Sequence, residues 1–302
     1  MKSLTLIALF FSTLATAQYV PIISQYMFND VILNPANTGN KEALSLFGSY
    51  RAQWVGIPGA PMTQSFVAHS PLRNKSSAVG IQCFSDQIGV DKTTAIFGSY
   101  AYRINMPSMR LSFGLSAGVN LIKSSNTQLQ VNDQGDGLLT DSPLFIIPDV
   151  SFGMALNSKK YFVSFSLPMF LGHKENNGKY RLDHDVKNYN FMLGGGYKLI
   201  LKNEKTITPS LLLKYKVGGR PQADINVIFD IHKVFDVGFS YRTEEAVIAL
   251  FKITPGKQFS VMYSFGMPIT PISYKQFGSH EIGLEYNFLY PSKSTNPRYL
   301  TW

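Results

Sequence analysis

Between Arg110 and Lys123 every second residue is apolar: Leu111, Phe113, Leu115, Ala117, Val119 and Leu121 alternate with Ser112, Gly114, Ser116, Gly118 and Asn120. A period of two puts the two sets on opposite faces of a strand, and no helix satisfies it. The pattern returns in Phe259, Val261, Tyr263 and Phe265, and again in Ile282, Leu284, Tyr286 and Phe288. A soluble sandwich also alternates. Here, however, the polar face is Gly, Ser, Asn and scattered charge while the apolar face is rich in aromatics. That combination predicts strands facing lipid on one side and a wet lumen on the other.

From Glu42 onward the chain divides into about fourteen such segments, bounded by Gly, Pro, Asn and Lys turns. They run approximately over 42 to 54, 62 to 70, 77 to 86, 92 to 104, 110 to 123, 149 to 157, 160 to 168, 188 to 201, 205 to 217, 222 to 231, 233 to 243, 246 to 253, 257 to 266 and 279 to 289. Many are about nine to thirteen residues long, the length of a tilted membrane strand and well above the soluble average. The connections after even-numbered strands are short. Those after strands five, seven and thirteen are long, those after one and three are of middle length, and those after nine and eleven are brief, which weakens the rule without reversing it. This is the asymmetry of outer-membrane barrels, whose short turns face the periplasm. The expected fold is an all-β, transmembrane antiparallel β-barrel with an N-terminal arm or plug.

The N-terminus supports export. Lys2 precedes an apolar run from Leu4 to Leu14 that ends in Ala15-Thr16-Ala17, so residues 1–17 read as a signal peptide cleaved after Ala17. Residues 18–41 have no clean period and carry Pro21 and Asn34-Pro35, which suggests a folded-back arm or lumen plug. The barrel is expected over 42–289, with a tail over 290–302. No later stretch supplies the ~20 apolar residues of a membrane helix. Only 16% of residues are charged and 13% are aromatic, which suits a chain with a large oily surface.

The net charge of +9 comes without a basic helix or a Lys/Arg run interleaved with aromatics, so nucleic acid is not the expected partner. Basic turns facing an acidic partner or lipid headgroups account for it better. Cys83 is the single cysteine; no intramolecular disulfide can form, and its place in a strand reads as a small apolar residue. His69, His173, His184, His232 and His280 are dispersed without zinc spacing. Asp183-His184-Asp185 reads as a solvated loop cluster, and Asn132-Asp133-Gln134-Gly135-Asp136-Gly137 lacks the final carboxylate of a calcium loop. Gly194-Gly195-Gly196 lies inside a strand pattern rather than before a helix. No nucleophile, dinucleotide or phosphate-loop motif is present, so neither an enzyme nor a cofactor is expected. Arg51, Gln53, Trp54, Asp86, Arg103, Arg242 and Glu281 stand out as polar or amphipathic residues in otherwise apolar strands or at their ends. They are candidates for lumen ion pairs and an aromatic girdle, or for partner binding.

Gln25-Tyr26-Met27-Phe28-Asn29, Asn34-Pro35-Ala36 with Gly39, Tyr50-Arg51-Ala52-Gln53-Trp54 and Gly59-Ala60-Pro61-Met62-Thr63 together resemble the opening of the PorP/SprF family of Bacteroidetes membrane proteins. Asp86 with Gly89, Tyr100-Ala101-Tyr102-Arg103-Ile104, Ser240-Tyr241-Arg242 and Gly278-Ser279-His280-Glu281-Ile282 extend the resemblance over nearly all of the mature chain. It implies an outer-membrane component of type IX secretion and gliding motility that binds a secreted adhesin, or periplasmic secretion subunits, instead of catalysing a reaction. The residues alone leave two other classes open: a FadL-like or porin-like transport barrel for hydrophobic or small solutes, and a soluble secreted β-protein or barrel enzyme.

Overall fold

The computed structural model describes residues 23–128, 141–168, 170–171, 173–176, 179–182, 189–201, 205–232 and 234–288. The proposed leader, residues 18–22 of the arm, the loop tips at 132–137 and 183–185, and the tail at 290–302 lie outside them.

Fourteen strands form one closed antiparallel barrel. They are β1 (Leu44–Ala52), β2 (Met62–Pro71), β3 (Ser77–Ile88), β4 (Asp91–Asn105), β5 (Met109–Ser124), β6 (Phe145–Ser158), β7 (Tyr161–Leu167), β8 (Asn190–Tyr197), β9 (Thr206–Lys216), β10 (Gln222–Ile231), β11 (Phe235–Arg242), β12 (Ala246–Ile253), β13 (Phe259–Pro268) and β14 (Ser279–Phe288). Each pairs with its sequence neighbours, and β1 pairs with β14 from Leu44 opposite Phe288 to Ala52 opposite His280. Closure leaves no open edge, which hydrocarbon requires because it cannot satisfy a free N–H or C=O. A short hairpin, His173–Asn176 with Lys179–Leu182, lies between β7 and β8.

The register places the alternating residues as the sequence predicts on the outer side. Leu115 (62% exposed) and Ile146 (64%) point outward, while their neighbours Ser116 and Ile147 are buried inside. Cys83 sits half-buried on the outer phase of β3 as a free thiol. Two expectations need correction. The β3–β4 connection is only Gly89-Val90, not a loop of middle length: β3 and β4 run on to Ile88 and Asp91, and Gly89 takes the turn with φ of +59°. The lumen wall does carry the expected small polar residues, Ser112, Ser116, Ser151 and Ser264 among them, but the interior is not simply wet. It contains an apolar core in which Phe47, Met192, Leu212, Ile228, Leu250 and Met262 pack against Tyr26, Met27, Phe28 and Val31.

Those last four residues belong to the segment Ile23–Lys41, which runs as three single 3-10 turns, Gln25–Met27, Asp30–Ile32 and Pro35–Asn37. It bonds to residues of β2, β3, β4, β6, β7, β10 and β14. A segment that touches strands all round a closed ring lies inside it. Ser24 meets Arg51 near the end of β1 that leads into a longer loop, and Lys41 lies at the opposite, short-turn end. The segment therefore crosses the lumen lengthwise.

Candidate functional site: the ion-paired lumen

Several of the inward-facing charges gather where the Ile23–Lys41 segment passes, while others, such as Asp149, which accepts from the Val150 and Leu171 N–H groups, are satisfied within the wall. At the loop end, Glu281 of β14 is fully buried and faces Arg51 of β1 directly across the strand pair, with Nη1 to Oε2 at 3.2 Å. The Ser24 N–H donates to the same carboxylate at 2.8 Å, the Arg51 guanidinium donates to the Ser24 hydroxyl, and the Gln25 amide donates to the Glu281 carbonyl at 2.9 Å. Gln25 passes so close to Gly283 that any side chain there would strike its amide.

Beside this pair, Arg242 and Asp224 are both completely buried and joined by two hydrogen bonds, Nε–Oδ1 at 3.1 Å and Nη2–Oδ2 at 3.2 Å. Lys214 adds a third cationic contact to Asp224 at 2.9 Å, and Glu245 takes the remaining Arg242 nitrogen at 2.9 Å. Into this group reaches the Tyr26 hydroxyl, which donates to Asp224 at 3.1 Å and accepts from the Asn226 amide at 3.0 Å. Paired charges with bidentate geometry are the form in which buried ions are tolerated.

The middle of the segment is held by shape. Asn34 caps its own 3-10 turn by accepting from the Ala36 N–H at 2.9 Å, and its amide donates to the carbonyls of Met154 and Phe165, both at 3.1 Å. It packs onto Gly153, and Pro35 and Ala36 pack onto Gly114. Small residues on the inner face of β5 and β6 are thus the groove in which Asn34-Pro35-Ala36 lies. Lys252 stands 5.4 Å from the centroid of the Phe28 ring. At the short-turn end Arg103 donates to the Thr38 carbonyl, the Gly39 N–H donates to His69 Nδ1 at 2.9 Å, Lys41 pairs with Glu285, and Arg110 pairs with Glu42 at 3.1 Å.

Of the residues singled out from the sequence, the structure brings Arg51 and Glu281 into one pair, sets Arg103 of the wall against the Thr38 carbonyl of the segment, and ties Arg242 to the segment only through Asp224, which Tyr26 also meets. Asp86 accepts from Thr63 at 2.5 Å on the wall near the loop end. Gln53 and Trp54 begin the β1–β2 loop: the Gln53 N–H donates to the Pro61 carbonyl at 2.9 Å, and the Trp54 N–H donates to Ser279 Oγ at 3.2 Å. Sequence reasoning missed Tyr26, Lys41, Lys214, Asp224 and Glu285. For the three that lie in strands, the available signal was phase: each is a charge at an inward position of an alternating strand. Among the described residues no three His, Cys, Asp or Glu side chains gather as a metal site.

The comparisons with known proteins agree with this architecture. The model of the type IX secretion system membrane protein family PorP/SprF matches residues 15–286. The chain belongs to the PorP/SprF family. No curated protein matches it. Among solved structures it is similar to the CymD monoaromatic hydrocarbon channel, at 12% identity and a TM-score of 0.52, covering 89% of this chain and 94% of that one. It is also similar to the outer membrane protein Omp33 of Acinetobacter baumannii, at 8% identity and a TM-score of 0.49, covering 83% of this chain and all of that one. At such identity the likeness concerns the fold: this PorP/SprF chain is an outer-membrane β-barrel.

Within this PorP/SprF chain, Tyr26→Phe should remove the hydroxyl that joins the segment to Asp224 and Asn226 while keeping the ring. The expected cost is about 2 kcal/mol, the range for a buried bond to a charged group. It is read as a lower midpoint of urea unfolding in detergent. A midpoint equal to the wild type would show that the hydroxyl adds nothing.

Proposed function

We propose that this chain is a non-catalytic outer-membrane component of type IX secretion and gliding motility that docks a secreted adhesin, periplasmic secretion subunits, or both. The carrying observation is the filled lumen. A barrel whose interior is occupied along its length by its own hydrogen-bonded segment is built as a sealed anchor, and its loops and turns remain for contact with partners. The same feature argues against the transport reading, since a solute path would need the segment between Ser24 and Lys41 to leave. Export through the leader ending at Ala17 and an origin in Bacteroidetes belong to the same reading.

Deleting the gene tests it. Loss of a surface adhesin and of spreading motility is expected, together with recovery of that adhesin or of secretion subunits when the tagged barrel is purified from gently solubilised membranes. Unchanged secretion and motility would overturn the proposal.

A further inference from the structure

The two rims of the barrel differ in charge. On the short-turn rim, Arg73 in the β2–β3 turn, Lys159 and Lys160 in the β6–β7 turn, Lys205 before β9 and Lys257 in the β12–β13 turn are all exposed. None of the five has an ion-pair partner among the described residues. The described residues of the short turns themselves include no carboxylate; at the adjoining strand ends Asp236 is paired with Lys252 at 3.6 Å, Asp230 lies opposite Thr206, and Glu42, where the lumen segment exits, is taken by Arg110. The loop rim is mixed: Arg220 faces Glu244 at 3.5 Å, Asp91 precedes Lys92, which lies opposite Lys123, and the Ser142 N–H, next to Asp141, donates to the carbonyl of Ser124, next to Lys123.

The short-turn cations are not one patch. They are spaced around the circumference, and four of the five stand beside a residue of the oily belt: Leu72 next to Arg73, Tyr161 next to Lys160, Leu201 bonded through its N–H to the Lys205 carbonyl, and Phe259 two residues after Lys257. A cation with an apolar anchor is the side-chain pair that sits at a membrane interface, stem in hydrocarbon and head among phosphates. A docked protein would be met by charge concentrated beneath one sector. Charge repeated around the whole ring and continuous with the lipid-covered belt matches an annulus of lipid.

We infer that the short-turn rim is a binding collar for anionic phospholipid headgroups, with Arg73, Lys159, Lys160, Lys205 and Lys257 as its cations. This does not depend on which protein the barrel docks. The collar would order the leaflet at that end and fix the depth of the barrel.

The full chain, purified in neutral detergent and reconstituted in mixed phosphatidylcholine–phosphatidylglycerol vesicles, should retain phosphatidylglycerol over phosphatidylcholine by about fivefold or more at low salt, the factor expected from even one such cation. The preference should shrink as salt rises. A variant carrying Arg73→Gln, Lys159→Gln, Lys160→Gln, Lys205→Gln and Lys257→Gln, checked for folding by its heat-modifiable gel mobility, should retain the two lipids equally. Lys92→Gln with Lys123→Gln on the other rim should leave the preference intact. Equal retention by the wild type would overturn the inference, as would an undiminished preference in the five-site variant. So would a five-site variant that keeps its lipid preference but loses a co-purifying periplasmic protein, which would make the rim a protein-docking surface instead.

Discussion

Replacing Arg242 with methionine is expected to destabilise the barrel by about 3–5 kcal/mol, the usual cost of stripping one partner from a buried ion pair. Arg242 and Asp224 have no exposure, and the guanidinium makes two of the three cationic contacts to that carboxylate. Without it Asp224 keeps only Lys214 and the Tyr26 hydroxyl, in a site water does not reach. The loss should appear both in the urea midpoint and as proteolytic release of the lumen segment, because Tyr26 holds that segment to the same carboxylate. A second arm of the test is the double variant Arg242→Met with Asp224→Asn. Removing both charges should cost clearly less than the sum of the two single changes, the non-additivity that marks a direct pair. If Arg242→Met alone costs under about 1 kcal/mol, the pair is not what secures this end of the barrel.

The second large effect is expected at Gly153. A Cβ there would run into Asn34 Oδ1 and lie 2.9 Å from Pro35 Cδ, so even alanine has no room, and leucine should drive Asn34-Pro35-Ala36 out of its groove. Gly114→Leu should act in the same way, since its side chain would meet the Pro35–Ala36 backbone. Gly98→Ala on the outer phase of β4 is the control, since its nearest neighbour would be the Ala117 carbonyl at 4.0 Å. Planar bilayers should record little current through the wild type and Gly98→Ala, and open-channel steps through Gly153→Leu. Because an overpacked barrel can simply fail to fold, a chain lacking residues 23–40 provides the independent comparison. If that deletion folds and still passes no current, the segment is not what closes the lumen.

The outer surface was the legible part of this chain. Hydrocarbon imposes one rule on every strand, so all fourteen segments could be located from Phe, Tyr, Leu and Ile recurring every second residue, although turn chemistry set some ends short, as where β6 begins at Phe145 and not at 149. The interior follows no such rule. β12, Ala-Val-Ile-Ala-Leu-Phe-Lys-Ile from Ala246 to Ile253, is apolar on both faces up to Lys252 because Ile248 and Leu250 belong to one core with Met27 and its neighbours, more than two hundred positions earlier. Nothing local in either stretch announces the other. The lumen segment was hard to read for a related reason: three isolated 3-10 turns have no long period, and what fixes them is the groove made by Gly114 and Gly153. The candidate residues follow the same division. Arg51, Arg103 and Arg242 were visible as charges among apolar neighbours near strand ends, whereas Asp224 and Glu285 required knowing which phase of β10 and β14 faces inward.

The pairing of β1 with β14 joins the two ends of the sheet, and the Arg51–Glu281 bridge spans that seam with Ser24 bound to both members. An early stretch of the polypeptide therefore clasps the joint made by its last strand. Closing the seam and seating the segment are therefore coupled, since the polar group at the joint is complete only when Ser24 is in place.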